Sequence, residues 1–524
     1  MSDNGGDIEV SAPPTRTFER RLSKSEEAEE ESSGRFTPPG FIRWIEIPFR
    51  VTDPTTGKQL REATGWGMDA AARGPLNSAG TFVGTALLRL AISDAGGPQN
   101  KIYGFKPSSL LSLFSAITGV VAAVLMPFVG AIVDHTSLRK QVGIITALFL
   151  CGITLSQIWI SIDNWFIMLI LEALGGFMLL VHFATVLAYL PDLTTNDDDI
   201  AHYTSRFGIR QFTTQTSYAS CVVIISQIRD IQDPFKGTIQ TAKDSAAIAF
   251  CFAAFFLTYA WFFCFRKRGP LHQIPEGDNL VTTGFKKVMT TSSLIWRKYH
   301  SLKWFMISML WSPEAGAGVV LTIAVTYLTF EIGLTGKEIG YVNITMLAFN
   351  IPGSYFAKYM CNKLNPLNSY RTSLVFFAAV AGCTFWHLDT KEKADWIYMW
   401  AAFWGIAYGW TYPSQRVLIC TLIPKGQEAE MMGLFTFTGQ VLGWLIPLIF
   451  TIMNEKSVEL RLSCSIISYF VLFAFVCTLP MGTYEAGLKE VEEAENDKEL
   501  DGLALEKGTS ADGSSNEEVN EYEK

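Results

Sequence analysis

One long apolar segment follows another along this chain, and segments of that kind leave little choice of fold. A helix crossing the hydrocarbon core of a bilayer needs about 20 mostly apolar residues, because no water is there to satisfy its backbone groups. Twelve such segments are predicted. Six lie at 66–92, 108–133, 141–162, 165–189, 206–228 and 245–265, and six at 303–330, 338–361, 370–388, 395–419, 429–453 and 459–480. The fifth and eleventh are polar for their kind. Between the two sets runs a polar, basic loop, 266–302. The pattern predicts an all-α membrane protein with twelve transmembrane helices in two six-helix halves. The expected divisions are a disordered cytoplasmic tail at 1–62, one half at 63–265, a cytoplasmic linker at 266–302, the other half at 303–480, and a disordered acidic tail at 481–524.

Composition narrows the function. Charged residues make up only 18% of the chain, against about 25% in soluble proteins. The net charge of −8 is dominated by acid in the tails, in EEAEEE at 26–31 and KEVEEAENDKELDG near the C-terminus. No basic domain suggests nucleic-acid binding. There is no GxxxxGK, HExxH or GxSxG, so neither an ATP-driven pump nor an enzyme is expected, and no cofactor. The nine cysteines form no CxxC pair. They read as small buried side chains, with no metal site and no disulfides. The first 40 residues lack the apolar core of a signal peptide, so the first helix is expected to insert as its own signal. Residues 36–50 suit either a headgroup contact or a plain linker. Arg20-Arg21-Leu22-Ser23 resembles a basophilic kinase site. The sequon at Asn343 falls inside a predicted helix, where glycosylation is not expected.

An even number of helices puts both tails on one side, and cytoplasmic loops carry the excess of Lys and Arg. With both tails cytoplasmic, the inside connections hold Arg139, Lys140, Arg206, Arg210, Lys358, Lys363 and Arg371, besides eight cations in the central loop. The opposite loops hold fewer, and the connection from helix three to helix four has none.

Several residues are out of place in an apolar helix. Gly74 and Pro75 in helix one, and Pro313 with Gly316 in helix seven, predict interruptions at corresponding positions of the two halves. Such paired breaks point to a transporter's central site; kinking for packing is the other reading. Pro127 and Pro352 form a second matched pair in helices two and eight. Charges at membrane depth face a cavity or a partner. Asp69 and Arg73 lie four apart, share a helix face and can pair. Glu172, flanked by apolar residues for several turns, is either a buried ion-pair partner or a carboxylate linked to a proton or substrate. His182 lies ten residues on, near the same face. Glu314 sits by the break in helix seven, and Arg416 near the end of helix ten, as a snorkelling anchor or a site residue. Trp311, Tyr327, Trp404, Tyr408 and Tyr412 offer apolar walls.

Gly130-Ala-Ile-Val-Asp134-His135, with Arg139-Lys140 following, resembles the conformational-switch loop between helices two and three of the major facilitator superfamily. It has His for the first Arg, lacks the second Gly and carries one extra residue. A second stretch is more specific. Ser414, Arg416, Leu422-Ile423-Pro424, Gly426, Glu428-Ala429-Glu430, Gly433 and Pro447 resemble the helix ten–eleven region of the autophagy-related protein twenty-two family of vacuolar effluxers. Arg461 fits the arginine before its last helix. Gly65-Trp66, Ala72 and Pro75 resemble its helix-one start, although Gly74 replaces an acidic residue there. Ala188-Tyr189-Leu190-Pro191 and Ser205-Arg206-Phe207-Gly208 resemble its helix four–five connection. The resemblance implies a monomeric major-facilitator transporter in the vacuolar or lysosomal membrane. It implies efflux of amino acids, chiefly neutral ones, to the cytosol after autophagic breakdown. Protons are a candidate coupling ion.

Overall fold

The computed structural model describes residues 47–51, 60–189, 197–269, 279–312, 323–423, 428–494 and 496. The acidic run at 26–31, the kinase-like site at Ser23, and Pro313, Glu314 and Gly316 lie outside the described residues, whereas the C-terminal acidic run, expected to be disordered, begins within a helix over 484–494.

The fold is helical throughout the described residues. The first set comprises α1 (Arg61–Ala95), α2 (Pro107–His135), α3 (Arg139–Gln157), α4 (Trp165–Leu187), α5 (Asp197–Arg229) and α6 (Pro234–Tyr259), the last extended by a π turn at Ala260–Cys264. After α7 (Leu280–Lys298) come α8 (His300–Met309) and α9 (Ile323–Ile332). They are followed by α10 (Gly336–Leu364), α11 (Pro366–His387) and α12 (Ile397–Leu422). The last are α13 (Glu428–Val441), α14 (Leu445–Glu455), α15 (Leu460–Cys464) and α16 (Ile466–Thr478).

Six described spans are long and apolar enough to cross a bilayer: Pro107–His135, Arg139–Gln157, Trp165–Leu187, Pro234–Cys264, Gly433–Glu455 and Leu460–Met481. The centrally packed α1 is not among them. It is the longest element at 35 residues, and 25 of these are buried. A helix walled in by protein pays no lipid penalty for small and polar residues, so α1 tolerates Asp69, Ser78 and Thr81. It ends in a left-handed turn at Gly96, φ +70°, with the Gly97 N–H donating to Ile92 O at 3.0 Å.

The expected interruption at Gly74 and Pro75 is absent: α1 runs unbroken through both. Proline removes one hydrogen bond, which a long helix locked by its neighbours survives. Gly74 instead serves close packing, since a Cβ there would lie 2.4 Å from Gln211 O on α5. Pro127 and Pro352 likewise sit within continuous helices. Among the described residues, helix seven leaves helical geometry after Met309, with turns at Leu310–Ser312. An unforeseen break separates α13 from α14 at 442–444, where Gly119 of α2 admits Trp444; a Cβ on Gly119 would lie 2.8 Å from Trp444 Cβ.

The linker is not a plain loop. α7 is amphipathic, capped reciprocally by Asn279 and Thr282. It is pressed onto α2 so closely that a Cβ on Gly284 would lie 2.2 Å from Pro127 O. The cysteines are not uniformly buried, as the sequence suggests they should be: Cys221, Cys251, Cys383 and Cys420 are exposed. In a bundle bathed in lipid, an outward apolar face needs no burial within protein.

Buried apolar side chains fall into clusters confined to one side of the linker. The largest gathers residues from Ile295 to Met481, and two others gather residues between Trp66 and Phe265. A small fourth cluster joins the two sides through Leu347, beside Phe82 and Tyr218. Within the later set, α10 and α12 approach closely along small residues, and a Cβ on Gly409 would lie 2.2 Å from Asn350 O. Gly409→Ala should therefore destabilise the protein by about 1–3 kcal/mol, the usual cost of overpacking. Thermal unfolding in detergent checks this, and an unchanged midpoint would show that the pair can relax.

Candidate substrate cavity

A cavity of about 2950 Å³ lies between the two sets of helices, lined by both. It reaches from Gly80 and Gly84 on α1 to Asp134, Lys287 and Lys358 beside the linker. At the opposite end the sets are latched. Ser112 and Thr451 hydroxyls are 2.7 Å apart, and Asn454 Nδ2 donates to Ser108 Oγ and Ser109 Oγ at 2.7 Å each. Lys106 Nζ donates to Asn454 O at 2.8 Å, and Lys101 pairs with Glu455 at 3.1 Å. Across the same end, Arg89 donates to Leu334 O at 2.7 Å. The two sets are therefore in contact at that end, and the cavity extends to the linker helix, where Thr283, Lys287 and Thr291 line it.

The walls are mostly apolar, with a few polar groups. α12 contributes Trp404, Tyr408 and Tyr412, their rings 6.0 and 5.4 Å apart in succession. Trp404 is fixed by donating to Thr384 Oγ1 at 2.9 Å. Trp311 and Tyr327 do not line the cavity. Trp311 packs on Phe470 and Phe473, and Tyr327 donates to Phe385 O at 3.1 Å.

Arg73 lines the cavity without an ion-pair partner among the described residues. Its Nε and Nη1 are buried and make no hydrogen bond. Its guanidinium lies 3.6 Å from the centroid of Phe183 and 5.0 Å from that of Phe207. Arg416 also lines the cavity, from the other set of helices, and its charge opposes that of Arg73. The expected pair of Asp69 with Arg73 is not made. Asp69 is fully buried and turned away from the cavity, where Oδ2 meets His182 Nε2 at 2.7 Å and accepts from Trp261 Nε1 at 2.9 Å.

Glu172 lines the cavity as well, but it is not isolated. Gln157 Nε2 donates to its Oε2 at 2.5 Å, and its Oε1 faces Gly80, where a Cβ would lie only 2.7 Å away. His182, expected near the same face, pairs with Asp69 instead. Gln157 was legible as a polar residue ending an apolar helix; its contact with Glu172 across two helices was not.

The switch-loop residues lie beside the linker. Gly130 faces the cavity with open space where a Cβ would stand. Asp134 pairs with Lys287 of α7 at 3.3 Å. Arg139 is fully buried, donates to Val133 O at 3.3 Å and Ala188 O at 3.1 Å, and lies 5.1 Å from the Tyr189 ring. Lys140 is half-buried beside it. Asn343 is buried in α10, among the cavity walls.

Two sets of helices in contact at one end around a central cavity are the arrangement of the major facilitator fold. The inward-open xylose transporter XylE of E. coli is similar in structure, with TM-score 0.59 and 14% identity over 82% of this chain and 98% of that one. A mutant form of the nucleoside transporter NupG is similar with TM-score 0.56 and 12% identity, over 80% of this chain and 100% of that one. The family model described as "Vacuole effluxer Atg22 like" matches residues 101–491, and the chain belongs to that family. Autophagy-related protein 22 of Kluyveromyces lactis is 22% identical over 187 residues, 34% of this chain and 36% of that protein. The protein of that name from Vanderwaltozyma polyspora is 26% identical over 137 residues, 26% of this chain and 25% of that protein. The chain thus aligns with about a third or less of the length of these relatives. With six apolar spans and this fold, the chain is a multi-pass membrane protein.

If the latch opens during transport, freezing it must stop transport. With the exposed native cysteines replaced, Ser112→Cys with Thr451→Cys should cross-link on oxidation, since the two hydroxyls are in contact. The oxidised protein should lose at least nine-tenths of its flux and regain it on reduction. Full flux through the cross-linked protein would show that this end never opens.

Proposed function

We propose that the chain is a secondary transporter that moves amino acids, chiefly neutral ones, from the vacuolar or lysosomal lumen to the cytosol by alternating access. Twelve spans in two six-helix halves, 63–265 and 303–480, with cytosolic tails and linker, complete the reading. The cavity then faces the cytosol. Arg73 carries the assignment: a guanidinium at a cavity wall, without an ion-pair partner among the described residues, suits a carboxylate. Arg416 stands nearby on the other half, so one carboxylate between them would offset their repulsion and draw the halves together. Glu172, or Glu314, takes the ammonium group. The aromatic row of α12 receives an apolar side chain, and the pair of Asp134 with Lys287 ties the linker to the half that must move.

A second reading rests on the sign of the lining charge. Arg73, Arg416, Lys286, Lys287 and Lys358 face the cavity against Asp134 and Glu172, a balance that suits an organic anion without an ammonium group. Liposomes holding the purified protein, given labelled amino acids and amine-free carboxylates in turn, separate the two. Amino acids should be preferred, and a preference for the amine-free acids would overturn the first reading. Absence of flux for every solute, with ligand binding intact, would make the chain a receptor.

Arg73→Gln should weaken amino-acid uptake tenfold or more, about the value of one desolvated charged hydrogen bond. Glu172→Gln should do the same for amino acids and spare amine-free acids. Unchanged uptake in Arg73→Gln would remove it from the site. Protease added to the cytosolic side of intact organelles should cleave epitopes at residue 280 and at the C-terminus alike, and opposite accessibility would overturn the topology.

A further inference from the structure

We propose that Asp69 and His182 form a proton-binding site, and that Arg73 couples it to the substrate by competing for Asp69. The proposal rests on the transport reading above and adds the coupling ion and its place.

The contacts of the His182 ring accommodate a second ring proton. Thr146 has one hydroxyl proton, and its Oγ1 lies 2.8 Å from Val142 O, the usual back-bond of a helical threonine. His182 Nδ1 lies 2.7 Å from the same Oγ1, so it donates when it carries a proton and accepts the hydroxyl proton when it does not. On the other side of the ring, Nε2 faces Asp69 Oδ2 at 2.7 Å. That oxygen also accepts from the Trp261 indole at 2.9 Å, and a protonated Nε2 donates to it. Every contact is satisfied by an imidazolium on an aspartate. The pair is fully buried and contributes nothing to the cavity lining, so solvent does not screen it.

Asp69 has a second oxygen, Oδ1, buried and without a hydrogen bond, and one turn along α1 Arg73 has two unused nitrogens. Their charges already attract. Asp69 can thus hold His182 through one oxygen or Arg73 through the other. A substrate carboxylate on Arg73 leaves Asp69 to the imidazolium. When the substrate departs, Arg73 turns from the cavity wall to Asp69, the imidazolium loses its counter-charge, and the proton leaves through the space that Arg73 vacates to the cavity water. Substrate and proton therefore bind together and leave together, and each strengthens the other's binding by the same factor. Among the described residues, no other ionised group is placed to substitute. Arg210 of α5 packs on Gly67, with its Nη2 donating to Phe49 O. Arg139 faces Tyr189, and Glu62 is engaged by Arg268.

The test uses the full chain. The His182 and Trp261 rings are 5.3 Å apart, and a protonated imidazole quenches indole emission. Without any substrate, the fluorescence difference between the wild type and Trp261→Phe should titrate with pH, and this titration should vanish in His182→Gln. In liposomes given a mixture of labelled neutral amino acids, a pH gradient should drive accumulation by the wild type at least fivefold above equilibrium. His182→Gln should equilibrate the same amino acids without accumulating them. If His182→Gln does not fold, Asp69→Asn should likewise equilibrate the amino acids without accumulating them. Retained accumulation in a folded variant, or a titration that survives the loss of His182, would overturn the proposal. Wild-type protein that titrates but moves no amino acid would leave the proton site standing and sink the substrate reading.

Discussion

A charge held at membrane depth must find a partner or water, and α1 shows both solutions one turn apart. Asp69 is sealed among α3, α4 and the end of α6, where imidazole and indole donors meet one oxygen. Arg73 looks into the cavity with its ring-facing nitrogens unused. The rest of the N-terminal half is arranged to hold that difference. Gly143 lets the Trp261 ring lie where a Cβ would come within 1.9 Å, and Gly67 makes room for Arg210 on the other side. A helix carrying these groups is stable in a membrane only because other helices surround it, which is why α1 is the most buried long element and not the most apolar.

The two ends of the molecule differ in the kind of contact they make. The latched end is held by short hydroxyl, amide and lysine contacts, among them Ser112 with Thr451 and Lys106 with Asn454. Each is worth about 0.5–1.5 kcal/mol net, and water can replace each when the end opens. On the linker side a helix, α7, is strapped to α2 through Asp134 and Lys287. Weak, exchangeable contacts at one end and a tether at the other suit a rocking motion about a fixed centre. The packing within each half is of a different order, as the interlocked glycines of α10 and α12 indicate.

Much of this was legible in the sequence, and the remainder has a physical explanation. Apolar length exposed six of the spans, and misplaced charges led to Arg73, Glu172 and Arg416, all of which line one cavity. Proline misled. Pro75 lies in a helix that continues through it, because neighbours on every side hold the axis that a free helix would bend. Spacing along one helix suggested Asp69 with Arg73, but pairing is decided in three dimensions. The partners of Asp69 lie 113 and 192 residues away, and no local period brings such separations together. Gln157 with Glu172, and Lys287 with Asp134, escaped for the same reason.

The central claim is that one amino-acid site is offered to each side of the membrane in turn, and counterflow tests it most directly. Liposomes are loaded with an unlabelled neutral amino acid at high concentration and diluted into a trace of the labelled form, with no pH or ion gradient. Exchange through an alternating site should concentrate the label inside transiently, before it decays to equilibrium, and Arg73→Gln should abolish the overshoot. A monotonic approach to equilibrium in the wild type, with no overshoot for any amino acid, would contradict the account and describe a channel or a leak instead.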